Sequence, residues 1–151
     1  MDTKKAYISI SRYCDYQDRC IQEVQVKLKH LGVLESERKT IIAKLLDDDM
    51  IDEERFAQSY ARGKFRIKKW GRIRIRSELQ AKGISKGHIS NALENIDQEA
   101  YLKTLHDLAL KKLEAFSPVE DQKKRKKLWD ALVYRGWEKE LVYDKIRELL
   151  P

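Results

Sequence analysis

Ten basic residues, Arg62, Lys64, Arg66, Lys68, Lys69, Arg72, Arg74, Arg76, Lys82 and Lys86, crowd into a stretch with a single acid, Glu78, so that the segment carries +9. Guanidinium and ammonium groups at that density suit phosphates or an acidic protein surface, through charge-assisted hydrogen bonds and counterion release. On a helix Arg62, Arg66 and Lys69 stand at i, i+4 and i+7 and form one stripe, with Phe56, Tyr60 and Ile67 on or near the packing side. Arg72 and Arg76 repeat the i, i+4 step on the helix that follows. The competing reading is a solvated face partly neutralised by Asp47, Asp48, Asp49, Glu53 and Glu54. A second basic run, Lys123-Lys124-Arg125-Lys126-Lys127, must encircle its helix because each residue advances about 100°. It reads equally as a solvated helix and as an auxiliary phosphate contact.

Bond-making chemistry has no comparable footing. His30, His88 and His106 have no His or Cys neighbour at ligand spacing, and no Ser-His or Cys-His arrangement can be named. Cys14 and Cys20 are too few for a metal cluster or disulfide framework of the usual spacing and read as reduced, packed thiols. The acidic stretch Asp47 to Glu54 lacks the alternating ligands and glycine of a calcium loop, and helix capping explains it better. No phosphate-binding glycine loop occurs. The expectation is a protein without catalytic residues, cofactor or metal. Of the aromatics that could stack on bases, Trp129 and Trp137 fall at repeat positions that are more often core. Trp70, between Lys69 and Gly71, is the one that merits testing as a stacking residue.

Charged residues make up 38% of the 151 residues and hydrophobic ones 42%, so the chain is heavily solvated yet able to build a core. A net charge of +7 favours a polyanionic partner. Neither an apolar run of about 18 residues nor a signal-peptide core is present, which leads us to expect a cytoplasmic protein that engages no membrane.

The elements that must position these residues are helices. Only two prolines occur, and Gly32, Gly83 and Gly136, which lie 51 and 53 residues apart, superpose with their surroundings. Four residues before each stands Leu28, Leu79 or Leu132, and eight before stands Val24, Ile75 or Leu128. Val33, Ile84 or Trp137 follows by one residue, Ile42, Leu93 or Ile146 by ten, and Leu45, Ile96 or Leu149 by thirteen. Each unit is thus a helix, a glycine turn at positive φ and a second helix, with a longer helix in front. Ile51-Asp52-Glu53-Glu54-Arg55-Phe56 reappears as Ile96-Asp97-Gln98-Glu99-Ala100-Tyr101, in which an aspartate caps a helix start and the flanking apolar pair can staple it. Ser117-Pro118-Val119-Glu120 reads as a capping box with proline at the first helical position. These signals override the strand-like alternation of Tyr7-Ile8-Ser9-Ile10-Ser11 and Ile73-Arg74-Ile75-Arg76. They predict nine helices, near 3–14, 19–31, 37–48, 52–69, 71–82, 85–95, 97–116, 118–135 and 138–150. The expected fold is all-α, three tandem three-helix repeats (1–50, 51–96 and 97–151) in an elongated, curved array.

The stretch Ile51-Asp52-Glu53-Glu54-Arg55-Phe56-Ala57-Gln58-Ser59-Tyr60 resembles the acidic turn and Arg-Phe-Ala of the RecX family. The run from Gly71 to Ile84, ending Leu79-Gln80-Ala81-Lys82-Gly83-Ile84, is similar to that family's basic helix, and Tyr134-Arg135-Gly136-Trp137 to its Arg-Gly-aromatic turn. The resemblance implies a modular helical regulator that binds the RecA recombinase, lies in the groove of its filament on single-stranded DNA, and limits its activity in recombination, repair and the SOS response. On that reading Arg62, Arg66, Lys69, Trp70, Arg72, Arg74, Arg76 and Lys82 form the contact surface of a monomer, with duplex DNA as a further partner. The alternative is an autonomous DNA-binding module, since a helix, glycine turn and helix with arginines has the outline of a helix-turn-helix. It lacks an evident Asn/Gln-rich recognition face, and three tandem copies fit poorly with one docked helix. A helical scaffold that binds no nucleic acid would leave the +9 segment unexplained.

Overall fold

The computed structural model describes residues 2–151, and every regular element among them is helical. In order these are α1 (Thr3–Tyr16), α2 (Ile21–His30), α3 (Glu35–Asp47), α4 (Glu53–Gly63), a π-helical segment (Lys64–Lys68), α5 (Arg72–Ala81), α6 (Lys86–Glu94), α7 (Gln98–Ala115), α8 (Asp121–Tyr134) and α9 (Lys139–Leu149). The described residues form two compact units, one holding those up to Tyr60 together with Leu79–Ser90, the other holding Ala61–Glu78 with Asn91–Pro151.

The superposed glycine turns are realised at the level of single backbone bonds. Gly32, Gly83 and Gly136 have φ of +80°, +78° and +90°. In each copy the amide after the glycine donates to the leucine carbonyl five residues back, Val33 to Leu28 (3.1 Å), Ile84 to Leu79 (3.1 Å) and Trp137 to Leu132 (3.2 Å). This is the Schellman closure that satisfies a helix's last carbonyls. Four of the five aligned apolar columns are buried in all three copies, no member being more than 7% exposed. In the fifth, Leu45 is buried while Ile96 and Leu149 are only half-buried. Both strand-like stretches lie in helices, Ile10 and Ile75 facing the core while Ile8 and Ile73 remain exposed.

The repeated aspartates cap as expected: Asp52 accepts from the Arg55 amide and Asp97 from the Ala100 amide, both at 3.0 Å. In the first unit α1, α2 and α3 enclose Ala6, Ile10, Val24, Leu28, Ile41 and Leu45. Cys14 and Cys20 are free, buried thiols whose ionisation burial opposes. The acidic stretch is spent locally, since the Tyr7 hydroxyl donates to Asp48 and the Ile21 amide, at the start of α2, donates to Glu53 (3.2 Å).

Four expectations are corrected. The capping box at Ser117 does not form: α8 begins at Asp121 after Glu120, with Pro118 and Val119 outside it. The first fully buried residue of α8 is Leu128, two turns further on, and burial rather than local propensity holds most helices in proteins. The long helix expected over 52–69 is α-helical only to Gly63 and then widens into the π segment. That widening leaves Phe65 buried and Ile67, expected near the packing side, 77% exposed. Lys69 follows in the left-handed conformation (φ 58°, ψ 37°), which ends the helix and removes it from the predicted i+7 position of the basic stripe.

Candidate nucleic-acid interface

The basic segment of the second unit is held by a close meeting of two backbones. A β-carbon on Gly71 would lie 2.4 Å from the Gly136 carbonyl oxygen, and one on Gly136 would lie 2.4 Å from the Arg74 nitrogen, so only glycine fits at either position. This contact lets the first amides of α5, which a helix leaves without internal partners, donate elsewhere. Gly71 N–H donates to Arg135 O (2.9 Å), Ile73 N–H to Gly136 O (3.0 Å) and Arg72 N–H to the Tyr101 hydroxyl (2.9 Å). In the opposite sense, the carbonyls that end the π segment accept from the glycine turn after α8. Trp137 Nε1–H reaches Lys69 O (3.0 Å) and the Arg135 guanidinium reaches Lys68 O (2.9 Å). Beneath lies an aromatic cluster, with Tyr101 and Trp137 both fully buried and their ring centroids 4.4 Å apart, and Phe65 5.8 Å from Tyr101. The Tyr101 hydroxyl donates to Glu138, and burial together with that carboxylate raises its pKa far above the ordinary tyrosine value.

Against this frame the predicted contact residues separate. Arg62, Arg66, Lys69 and Arg76 are exposed, as is Lys68, and among the described residues none has a carboxylate within ion-pair distance. Arg72 is committed to the fold: it pairs with Glu138 at 2.9 Å, donates to Gln98 and lies 3.7 Å above the Tyr101 ring. Arg74 lies over two aromatics, 4.2 Å from the centroid of Trp70 and 4.9 Å from that of Tyr134. Trp70 is itself half-buried, with the Lys64 ammonium 5.1 Å from its centroid. Lys82 belongs to the first unit, where it pairs with Glu23 (3.3 Å) and lies 5.7 Å from the Tyr60 ring centroid. The run 123–127 does encircle its helix: Lys126 pairs with Asp130 (3.1 Å), while Arg125 donates to the carbonyls of Leu150 and Pro151, each at 3.2 Å. Trp137 is core as expected. Trp129, expected in the core, is only half-buried and lines an open cleft of about 760 Å³ with Tyr143 and Arg147; the residues at its place in the other two repeats, Gln25 and Arg76, are exposed.

Family models describing the second and third three-helix domains of RecX match residues 52–93 and 99–146. A Regulatory protein RecX of Prosthecochloris aestuarii is 30% identical over 149 residues, covering 99% of this chain and 96% of that protein. The chain belongs to the RecX family. Another RecX relative, from Bacillus cytotoxicus, is 28% identical over 98% of the chain, but the chain spans only 55% of its length. The crystal structure of RecX from Lactobacillus salivarius superposes with a TM-score of 0.82 at 28% identity, covering 97% of this chain and 96% of that one. A second RecX crystal structure superposes at 0.86, also at 28% identity, over 97% of this chain and 73% of the other. These RecX relatives are named for regulation, not for catalysis. No helix among the described residues of this RecX chain is long and apolar enough to cross a membrane.

The residues that position the RecX basic face, Tyr101, Arg135 and Glu138, escaped the sequence reading as site residues. Tyr101 carried a signal, an aromatic at the place of Phe56 in the repeated helix start, and Arg135 lay inside the Arg-Gly-aromatic turn. Neither signal says which distant backbone the side chain will meet.

Proposed function

We propose that this chain binds the RecA recombinase and its filament on single-stranded DNA as a monomer and limits filament activity, through a face built on the middle one of three repeats, 51–96. The observation that carries the proposal is the set of exposed cations Arg62, Arg66, Lys68, Lys69 and Arg76, held on helices and a locked turn with no carboxylate in ion-pair range among the described residues. Cations without an ion-pair partner keep more of their attraction for phosphates or an acidic surface than Arg72 and Lys82, which are partly neutralised within the fold. Membership of a family of regulatory proteins supports an action by binding alone. Such a regulator must bind the assembled filament with an affinity that differs from its affinity for the separate parts, since equal affinity shifts no equilibrium.

The test is filament assembly on single-stranded DNA, followed through the ATP hydrolysis of RecA, with the wild-type chain and the variant R62A/R66A/K69A/R76A. Arg72 is left intact because its removal would strand Glu138. Sub-stoichiometric wild type should reduce assembly, and the folded variant should not. If neither protein affects RecA while the wild type binds bare DNA, an autonomous DNA-binding module is the better account. If neither binds either partner, the basic face is a solvated surface.

A further inference from the structure

Tyr134 is the last residue of α8 and is 75% exposed, whereas Trp137, three residues on, is fully buried. The Arg74 guanidinium lies over the Tyr134 ring, 4.9 Å from the centroid, and over the Trp70 ring at 4.2 Å, so one cation serves both aromatics. Arg74 Nη1 also donates to the Tyr134 carbonyl (3.4 Å), so the cation is tied to the residue it covers. The stack rests on the least adjustable part of the second unit, for the Arg74 backbone is the one against which Gly136 packs too closely for any β-carbon. Two aromatics are therefore gathered on one guanidinium in advance, and the tyrosine of the pair is largely open to solvent. Nearby in the same chain segments stand Lys68, Lys69 and Arg135, and Arg135 reaches the Lys68 carbonyl.

From this geometry we infer that Tyr134 is the open end of a stacking platform, Trp70–Arg74–Tyr134, which takes an unpaired base of a single-stranded nucleic acid. Every base has a π-face, so such a platform binds without sequence preference, while the surrounding cations hold the phosphates. A duplex offers no free base face, and an acidic protein surface offers charge but no ring, so the single strand is the occupant that uses both parts of the site. The inference deepens the reading given above and rests on its nucleic-acid half. It also relocates the stacking residue, since Trp70 serves as the inner layer with Arg74 and Lys64 against its ring.

Stacking and charge leave different signatures in salt. Loss of a base–aromatic stack to alanine weakens binding by about 5- to 150-fold, and no counterion is released by a ring. Loss of one phosphate contact flattens the slope of log K against log [salt] by about 0.7 on a single strand. The experiment measures, by fluorescence anisotropy across a salt series, the binding of the wild-type chain, Y134A, Y134F and R66A to an oligothymidylate and to its abasic counterpart. Expected are a Y134A loss in that range with unchanged slope, near-wild-type binding by Y134F, a flatter slope for R66A, and no difference between wild type and Y134A on the abasic strand. Because Tyr134 is exposed, Y134A should melt like wild type, which separates a binding loss from unfolding. Equal binding of Y134A and wild type to the oligothymidylate overturns the platform alone and leaves the regulator reading standing. An equal Y134A deficit on the abasic strand shows that the ring acts through its neighbours' charge, and also overturns it. Failure of the wild type to bind either strand removes the platform and the DNA half of the proposed function together.

Discussion

Gly136→Ala should destabilise the protein far more than Gly32→Ala, although the two glycines occupy the same place in the repeat and nearly the same backbone conformation. At Gly32, with φ +80°, a β-carbon meets nothing within 4 Å, so alanine there incurs the left-handed penalty alone, about 1–2 kcal/mol. Gly83, with φ +78° and equally open space, is a second control. At Gly136, with φ +90°, the same carbon would sit 2.3 Å from Arg74 Cβ and 2.4 Å from Arg74 N, so one backbone must retreat by about 1 Å to reach ordinary contact. Such a retreat breaks the bonds from Gly71 N–H to Arg135 O (2.9 Å) and from Ile73 N–H to Gly136 O (3.0 Å), leaving donors unsatisfied at about 1–3 kcal/mol each. The expected cost is about 3–8 kcal/mol. Urea unfolding followed by helical circular dichroism on wild type, G32A, G83A and G136A measures it. Gly71→Ala provides the clash without the left-handed term, because its β-carbon would stand 2.4 Å from the Gly136 oxygen and its φ is not left-handed. If G136A falls within about 1 kcal/mol of G32A, the turn can yield without losing its bonds, and the claim that this backbone contact positions the basic face is wrong.

Tyr101→Phe should cost about 1–3 kcal/mol, since it leaves the Arg72 amide and the Glu138 carboxylate without the hydroxyl between them; thermal unfolding checks it. The same phenol gives a pH dependence. Its pKa is raised in the folded state by burial and by Glu138, so the folded form binds a proton that the unfolded chain releases above its ordinary value near 10. Stability is fully present below that pH and should decline as pH rises above it, and Y101F, measured between neutral pH and pH ~11, should decline less steeply. Cys14 and Cys20, buried and with thiol ionisation opposed by desolvation, should react slowly with a disulfide reagent in the native protein and fully in urea; rapid native reaction of both thiols would contradict their burial.

The repeat architecture was legible because it is written in side chains whose identity alone decides their place. Leu28, Leu79 and Leu132 are fully buried, and the three glycines adopt the left-handed turn that the superposition required. The start of α8 was not legible, since Ser117 and Pro118 carry every local signal of a helix start, while the fully buried residues of α8 begin only at Leu128. The π segment was hidden for a related reason. Spacing rules assume 3.6 residues per turn, and the single departure after Gly63 returns Phe65 to the core, exposes Ile67 and turns Lys69 out of the helix. A sequence shows which residues want burial, but the place where a helix changes its winding to satisfy two of them depends on what the other side presents, here Tyr101 and Trp137.

The same limit applies to the charge pattern. Arg72 and Arg76 stand one helical turn apart and look interchangeable in the sequence, yet Arg72 spends its guanidinium on Glu138, Gln98 and the Tyr101 ring while Arg76 remains exposed without an ion pair among the described residues. Glu138 lies 66 residues beyond Arg72, so only the fold brings them together. A net count of +9 therefore overstates the cations available to a partner and says nothing of which ones they are. What the fold adds is a division of labour within one basic segment. Arg72 anchors the helix start, Arg74 lies over two aromatic rings, and the exposed remainder, Arg62, Arg66, Lys68, Lys69 and Arg76, stands on helices and the turn that join at a backbone contact tolerating no β-carbon. Cations carried on such ordered backbone surrender less backbone freedom on meeting a partner than cations on a mobile loop, so more of their attraction remains as binding energy.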